Sequence, residues 1–378
     1  MRNQEILGNN RIKLLFLIHD LGHGGAEKVL VNLVNNMDQS KFDITVISLF
    51  GGGVNEQFLK ETIRYKTIFK KTFPGNSKVM KLFSPKLLHK MFVKDTYDIE
   101  VSYLEGPSAR IISGCPNKET KLISWIHCTM ESPKQIAKSF RNLEEAEQCY
   151  NAMDKLIFVS EGVRDSFRYN CNYDGLTKVL YNTVESERIL NMSRENVDEI
   201  KKDKIGLIAV GTLKPVKGFD RLLRVVKRLY EDGYPIHLYI LGVGPQQKEL
   251  EQFIEDNSLM EGVSLLGYQT NPYKYVAKSD LFVCSSLSEG FSTAVTEALI
   301  VGTPVCTVDV SGMRELLGNN NEYGLITEND EEALYKAIVN LLDNPERLEY
   351  YKKQAKDRGR LFNTENTVRA VEEMLENL

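Results

Sequence analysis

The chain starts the same fold twice. From Arg11 it reads as an apolar strand RIKLLFLIH, a glycine turn LGHGGA, a helix EKVLVNLVNNM and a second strand FDITVISLF. From Lys204 the order returns as strand KIGLIAVG, turn TLKPVKG, helix FDRLLRVVKRLYEDG and strand IHLYILG. Each is a β-α-β unit, in which the crossover helix makes the two strands parallel. Further apolar runs alternate with amphipathic segments: IEVSYL, KLISWIH, KLIFVS and KVLYN in the first half, VSLLGY, DLFVCSS and TPVCTVD in the second. Strands alternating with helices form parallel sheets covered on both faces. The expectation is an α/β chain of two Rossmann-like, doubly wound domains facing each other across a cleft.

A chain of 378 residues suits two domains, each large enough to bury a core without covalent staples. The polar stretch ESERILNMSRENVDEIKKD, residues 185 to 203, reads as the linker. That places the first domain at residues 1–185 and the second at 186–359. The hydrophobic fraction of 42% and charged fraction of 26% are ordinary for a soluble globular protein, and a net charge of −4 exerts no general pull on nucleic acid. The cysteines at 115, 128, 149, 171, 284 and 306 form no C-x-x-C pair and read as buried thiols in a reducing compartment. The N-terminus lacks a secretory pattern and no apolar run approaches the ~18 to 20 residues of a membrane helix, so the expected location is cytoplasmic.

Ligands of open parallel sheets bind beyond the carboxyl ends of the strands, so loops that follow strands carry the information. After the first strand, GHGGAE places Gly22, Gly24 and Gly25 ahead of a helix, where backbone amides can approach an anion unobstructed. The spacing is neither G-x-G-x-x-G nor a P-loop, and no acidic residue ends the second strand to hold a nicotinamide ribose; a dehydrogenase is disfavoured. In VGTLKPVKGFD, Lys214 and Lys217 follow the first strand of the second half, and an ammonium there could neutralise a phosphate at the helix N-terminus.

The most informative stretch is SEGFSTAVTE, residues 288 to 297. A helix beginning at Gly290 or Phe291 leaves the amides of Phe291, Ser292 and Thr293 without intrahelical acceptors, which a phosphate could supply. Glu289 lies just outside that helix, and Glu297 about two turns in, roughly 12 Å along the axis. Carboxylates accept hydrogen bonds from vicinal diols. The spacing therefore suits a diphosphate with a hydroxylated ring at each end, which describes a nucleotide sugar.

With these residues in place, the chain resembles a retaining glycosyltransferase of family 4, with the GT-B fold. The resemblance rests on the E-x7-E pattern Glu289 to Glu297, GGAEKV, the G-x5-K-G segment from Gly211 to Gly218, LGVGP, LGYQTNPYKYVAKSDLFV, EALIVGTPV and SGMREL. It spans nearly the whole chain and is strongest from about 205 to 330. It implies that Glu297 holds the ribose, that the amides of Gly290, Phe291, Ser292 and Thr293 hold the diphosphate, and that Glu289 holds hydroxyls of the transferred sugar. Lys217 would stabilise the leaving phosphate beside Gly211 and Thr212, with Gly24 and Gly25 closing over it. His127, at the end of SWIH, matches the histidine that the family places near the donor sugar. His19, His23, His89 and His237 read as structural or solvated. Many relatives carry an arginine where this chain has Thr212, and Lys214 could replace its charge. In such enzymes the C-terminal tail often crosses back, so helix 360–378 is expected to complete the first domain.

The resemblance further implies front-face transfer in which the leaving phosphate takes the acceptor's proton, so no enzymic nucleophile is required. No D-x-D motif is present, and neither metal nor cofactor is expected. Uridine is the expected base, because many similar bacterial enzymes of surface polysaccharide assembly use it. Residues 60 to 94 hold ten Lys or Arg against one acid, Glu61, interleaved with Phe, Leu, Ile and Met. Such a segment is attracted to an anionic membrane, which would present a lipid-linked saccharide acceptor. No nucleic-acid recognition motif accompanies the charge. Two other readings are a non-catalytic GT-B subunit, which would have lost Glu289, Glu297 or Lys217, and a sugar-nucleotide epimerase, which would need further acid-base groups.

Overall fold

The computed structural model describes residues 11–22, 24–201 and 203–378. The chain divides into two compact units, one made of residues up to Val159, Val163–Leu180 and Val368–Leu378, the other of Ser160–Gly162 and Tyr181–Thr367. The changeover at Tyr181 precedes the expected 185, and the return at Val368 comes later than 360. Residues 181–186 belong to the second unit because they are fastened there: the Tyr181 ring stacks on Phe291 at 5.0 Å, and the Ser186 amide donates to Thr364 Oγ1 at 3.0 Å.

The expected linker is a packed part of that unit. It contains the helix Ser186–Met192 with Ile189 buried; Asn271 donates to the Met192 carbonyl at 2.9 Å and Tyr275 to Glu199 at 3.0 Å. One buried face suffices to anchor a segment whose composition is otherwise polar.

In the first unit the described strands are β1 (Ile12–Ile18), β2 (Phe42–Phe50), β3 (Arg64–Phe69), β4 (Ile99–Ser102), β5 (Lys121–Ile126), β6 (Lys155–Phe158) and β7 (Leu176–Val179). They pair in parallel in the order β3-β2-β1-β4-β5-β6-β7. Leu14 to Ile18 of β1 are fully buried, as a central strand covered on both faces requires. The edge strand β3 was not anticipated: its sequence RYKTIF lies in the basic segment and is largely exposed, so charge masks the apolar alternation. Strand β7 starts and ends earlier than the run KVLYN, stopping at Val179 because Tyr181 and Asn182 belong to the second unit.

In the second unit the strands are β8 (Ile205–Val210), β9 (Ile236–Leu241), β10 (Val263–Gly267), β11 (Leu281–Cys284), β12 (Val305–Val308) and β13 (Leu325–Thr327). Their order is β10-β9-β8-β11-β12-β13, again parallel throughout. The short β13 was also not anticipated. The helix Phe219–Glu231 buries Phe219, Leu222, Leu223, Val226 and Leu229 at three- and four-residue spacing, against Leu207, Leu238 and Ile240 of the sheet. Each such side chain stabilises the unit by about 1.5–3 kcal/mol.

The order of strands reverses between β1 and β4 in one sheet and between β8 and β11 in the other. Outside the carboxyl ends at such a reversal, the flanking loops diverge and leave a crevice. No helix among the described residues is long and apolar enough to cross a membrane.

Candidate active site

In the second unit the reversal lies between the loop after β8 and the loop after β11, and several bonds fasten the two together. Gly218 has φ +62°, and a Cβ there would lie 2.2 Å from the Ser285 carbonyl oxygen, so only glycine lets the backbones meet. The Leu287 amide donates to Val216 O at 2.7 Å, and Ser285 Oγ to Lys217 O at 3.0 Å. Arg221, buried at the start of the following helix, donates to Ser285 O at 2.8 Å and to Ser286 O at 2.9 Å. The consequence is a fixed position for Lys217.

Its ammonium lies 2.6 Å from Glu289 Oε1, and Ser286 Oγ donates to the same oxygen at 2.6 Å. The Glu289 side chain is 10% exposed and that of Lys217 28%. A carboxylate so enclosed needs such donors, since an unpaired buried charge costs several kcal/mol. Lys217, Ser286, Glu289, Ser292 and Ala294 line a small cavity of about 10 Å³, the space of roughly one water centre. Three of the expected donor-site residues, Lys217, Glu289 and Ser292, are thus brought together, and Gly211 lies beside the Lys217 stem.

The helix after β11 spans Thr293–Val301, so it starts later than Gly290 or Phe291. Ser292 is extended (φ −75°, ψ 106°) and its Oγ accepts the Val295 amide at 3.3 Å, making it the cap. Within the helix the amides of Thr293 and Ala294 lack intrahelical acceptors, and those of Phe291 and Ser292 lie just ahead of it, outside the helical bonding pattern. Glu297 is buried, with the Tyr273 hydroxyl donating to it at 3.3 Å, and does not line the cavity. Lys214 is exposed on the loop, its amide donating to Thr212 O at 2.7 Å.

In the first unit Gly24 caps the helix Gly25–Asn36. The Glu27 carboxylate folds back so closely that a Cβ at Gly24 would lie 2.0 Å from it. A negative side chain favours that position because the helix N-terminus carries partial positive charge. His23 lies outside the described residues. His127, beyond the end of β5, is 8% exposed; its amide donates to Glu105 Oε2 at 2.9 Å and its ring lies 4.8 Å from that of Tyr103. Among the described residues its Nε2 has no hydrogen-bond partner. Burial pushes the imidazole pKa down to about 3, so the ring is neutral near pH 7.

Two family models match the chain, Glycosyltransferase Family 4 over residues 23–188 and Glycosyl transferases group 1 over 193–358. A Campylobacter jejuni protein is 30% identical over 359 residues, covering 93% of this chain and 95% of that one. Its name is N-acetylgalactosamine-N,N'-diacetylbacillosaminyl-diphospho-undecaprenol 4-alpha-N-acetylgalactosaminyltransferase. The chain belongs to the family 4 glycosyltransferases, of GT-B fold. Two solved structures share that fold: Anabaena HepE in complex with UDP, at TM-score 0.77 and 19% identity over 97% of this chain and 100% of that one, and the lipopolysaccharide outer core galactosyltransferase WaaB, at TM-score 0.71 and 18% identity over the same shares.

Sequence reasoning missed several residues that shape these loops in the glycosyltransferase. Ser286, Arg221, Glu105 and Glu27 make the contacts described above, yet none stands in a pattern that marks it. Of the histidines set aside, His19 pairs with Asp20 at 2.7 Å, a bond that holds the Asp20 carboxyl below its ordinary pKa, and His237 bonds Ser264 at 2.8 Å. His89 bonds Glu100 at 2.8 Å, and with Cys115 they offer three metal-type ligand atoms within 4.8 Å of one another. The His89–Glu100 bond and the Cys115 thiol donating to Glu100 at 3.7 Å account for that cluster as a polar contact. Four cysteines are buried as expected, but Cys115 is only half-buried and Cys128 is exposed, since it follows the end of β5 instead of lying within it.

Proposed function

We propose that this glycosyltransferase moves a hexose or N-acetylhexosamine from a UDP-sugar to a saccharide carried on a lipid diphosphate, with retention and without a metal ion. The observation that carries the reading is the 2.6 Å pair of Lys217 and Glu289 beside a serine-capped helix N-terminus at the β8/β11 reversal. A cation, a carboxylate and helix amides gathered at one strand reversal support binding of a diphosphate and an adjoining sugar. The HepE complex with UDP supports the base, and the name of the Campylobacter relative supports a lipid-diphosphate acceptor.

In this reading Glu289 holds Lys217 until the donor arrives. The diphosphate then takes up the ammonium and the amides of the Phe291–Ala294 turn, and Glu289 turns its oxygens to sugar hydroxyls. Glu297 holds the ribose. The family resemblance assigns Gly24, Gly25 and His127 to the donor as well, and burial keeps the His127 ring neutral. The acceptor hydroxyl oxygen bonds to the anomeric carbon on the face the nucleotide is leaving. The bond from that carbon to the diphosphate oxygen breaks with its electron pair going to the oxygen, which takes the acceptor's proton. Preorganised donors on that developing charge are worth about 2.7–4 kcal/mol each in comparable sites.

The basic segment supports docking at an anionic membrane. Val79, Leu82, Leu87 and Met91 are exposed apolar residues there, next to exposed Lys78, Lys86 and Lys90. Arg64 and Lys66 are set apart, since they pair with Asp43 and Asp95.

The test is product analysis with radiolabelled UDP-sugars and a polyprenyl-diphosphate saccharide, with and without EDTA, the anomer read by NMR. The expected result is an EDTA-insensitive product with the donor's configuration. An inverted linkage, or label that never leaves the nucleotide, would overturn the reading.

A further inference from the structure

We infer that Ser160, Asn182 and Ser311 are positioning residues that aim the amides of Phe291 and Ser292 at the donor's diphosphate. The inference rests on the donor site proposed above and adds what holds its turn in shape. Ser160 Oγ donates to the Gly290 carbonyl at 2.8 Å, and Ser311 Oγ to the same oxygen at 3.3 Å; the two hydroxyls lie 3.0 Å apart. Asn182 Nδ2 donates to the next carbonyl, Phe291 O, at 3.4 Å. A trans peptide is planar, with its C=O and the following N–H pointing in opposite directions. Donors on the Gly290 and Phe291 carbonyls therefore turn the Phe291 and Ser292 amides the other way, and successive amides facing one side make an anion-binding concavity.

The surroundings are built to keep these peptides still. Ser160 is fully buried, and Asn182 is 7% exposed. A Cβ at Gly162 would lie 2.6 Å from Ser311 Oγ, and one at Gly312, φ +79°, would lie 3.0 Å from Gly290 O. The Phe291 ring is stacked by Tyr181 and flanked by Phe362 at 6.1 Å. Ser160 and Asn182 come from more than 100 residues before the turn, on separate segments of the second unit.

The test compares the wild type with the double variant Ser160→Ala and Ser311→Ala, titrated calorimetrically with UDP and with uridine. Neither change adds or removes charge, and uridine reports whether the nucleoside end of the site is intact. The expected result is UDP affinity about tenfold lower, the loss of one to two hydrogen bonds' worth of orientation, with uridine affinity within about twofold of the wild type. Unchanged UDP affinity, or equal losses for both ligands, would overturn the positioning role. A wild type that binds uridine as tightly as UDP would instead remove the diphosphate site itself, and this inference with it.

Discussion

Lys217 Nζ lies 2.6 Å from Glu289 Oε1, although 72 residues separate them in the chain. The pair forms because the loop after β8 is fastened to the end of β11, and in the proposed reaction its ammonium meets the negative charge growing on a leaving diphosphate. Lys217→Ala is expected to lower kcat by about 100-fold or more, since the interaction strengthens as the bond breaks. UDP affinity should fall less, by about tenfold at most. Steady-state kinetics set against UDP titration check the split, and an unaltered turnover would remove Lys217 from the mechanism.

The same fastening makes Gly218 a structural test of the site. Its φ of +62° and the 2.2 Å approach to Ser285 O leave no room for a methyl group. Gly218→Ala should destabilise the second unit by about 1–3 kcal/mol, lowering its Tm by several degrees, and should weaken UDP binding as Lys217 shifts. Differential scanning calorimetry with and without UDP measures both effects. Wild-type stability together with wild-type UDP binding would show that the two loops are not held through this glycine.

Much of this arrangement was legible in the sequence, for reasons particular residues make plain. The strands β1, β2, β8 and β9 lie inside their sheets and are largely buried, with charge confined to Lys13 and Asp43 at the starts of β1 and β2, so their apolar runs stand out. Strand β3 was hidden because Arg64 and Lys66 point outward on an edge, and residues 185–203 were misread because Ile189 alone does not make an apolar pattern. Glu289, Lys217 and Ser292 were found through the turn and helix signals around them. Ser286, which bonds Glu289, and Ser160 and Arg221, which bond neighbouring backbone carbonyls, were not, because a side chain reaching across to another segment leaves no periodic trace. The helix start slipped from Gly290 to Thr293 because Ser292, a residue suited to capping, was read as already helical.

Burial holds two histidines neutral in the folded chain, His127 with a pKa lowered to about 3 and His237 to about 4. In the unfolded chain both return to about 6.5. Below that pH the unfolded state binds more protons than the folded one, so the contribution of these residues is complete above pH 6.5 and is lost as pH falls toward about 4 for His237 and about 3 for His127. Each contributes a slope on the order of 1 kcal/mol per pH unit in that window. Urea unfolding at pH 7 and pH 5 should show the loss, and His237→Gln should shrink the difference. A stability equal at the two pH values would contradict the neutral, enclosed state of these rings. For the same reason the kcat profile should show no titration of His127 between pH 5 and 8.

The proposed docking of the basic segment on a membrane predicts more than an effect of total charge, because its cations are not equivalent. Lys78, Lys86 and Lys90 stand exposed beside Val79, Leu87 and Met91, whereas Lys66 is paired with Asp95 at 2.5 Å. Each exposed lysine near an anionic surface is worth about 1 kcal/mol, so reversing three of them should weaken vesicle binding by a factor on the order of 100 or more. Changing Lys66→Gln should matter far less, since its charge is already compensated. Flotation with vesicles containing phosphatidylserine, at low salt and at ~1 M salt where the Debye length shrinks to about 3 Å, separates the cases. Binding by the wild type that is lost both in salt and in the triple Lys→Glu variant is expected, while equal flotation of the triple variant, or none by the wild type at low salt, would show that this face does not meet the membrane.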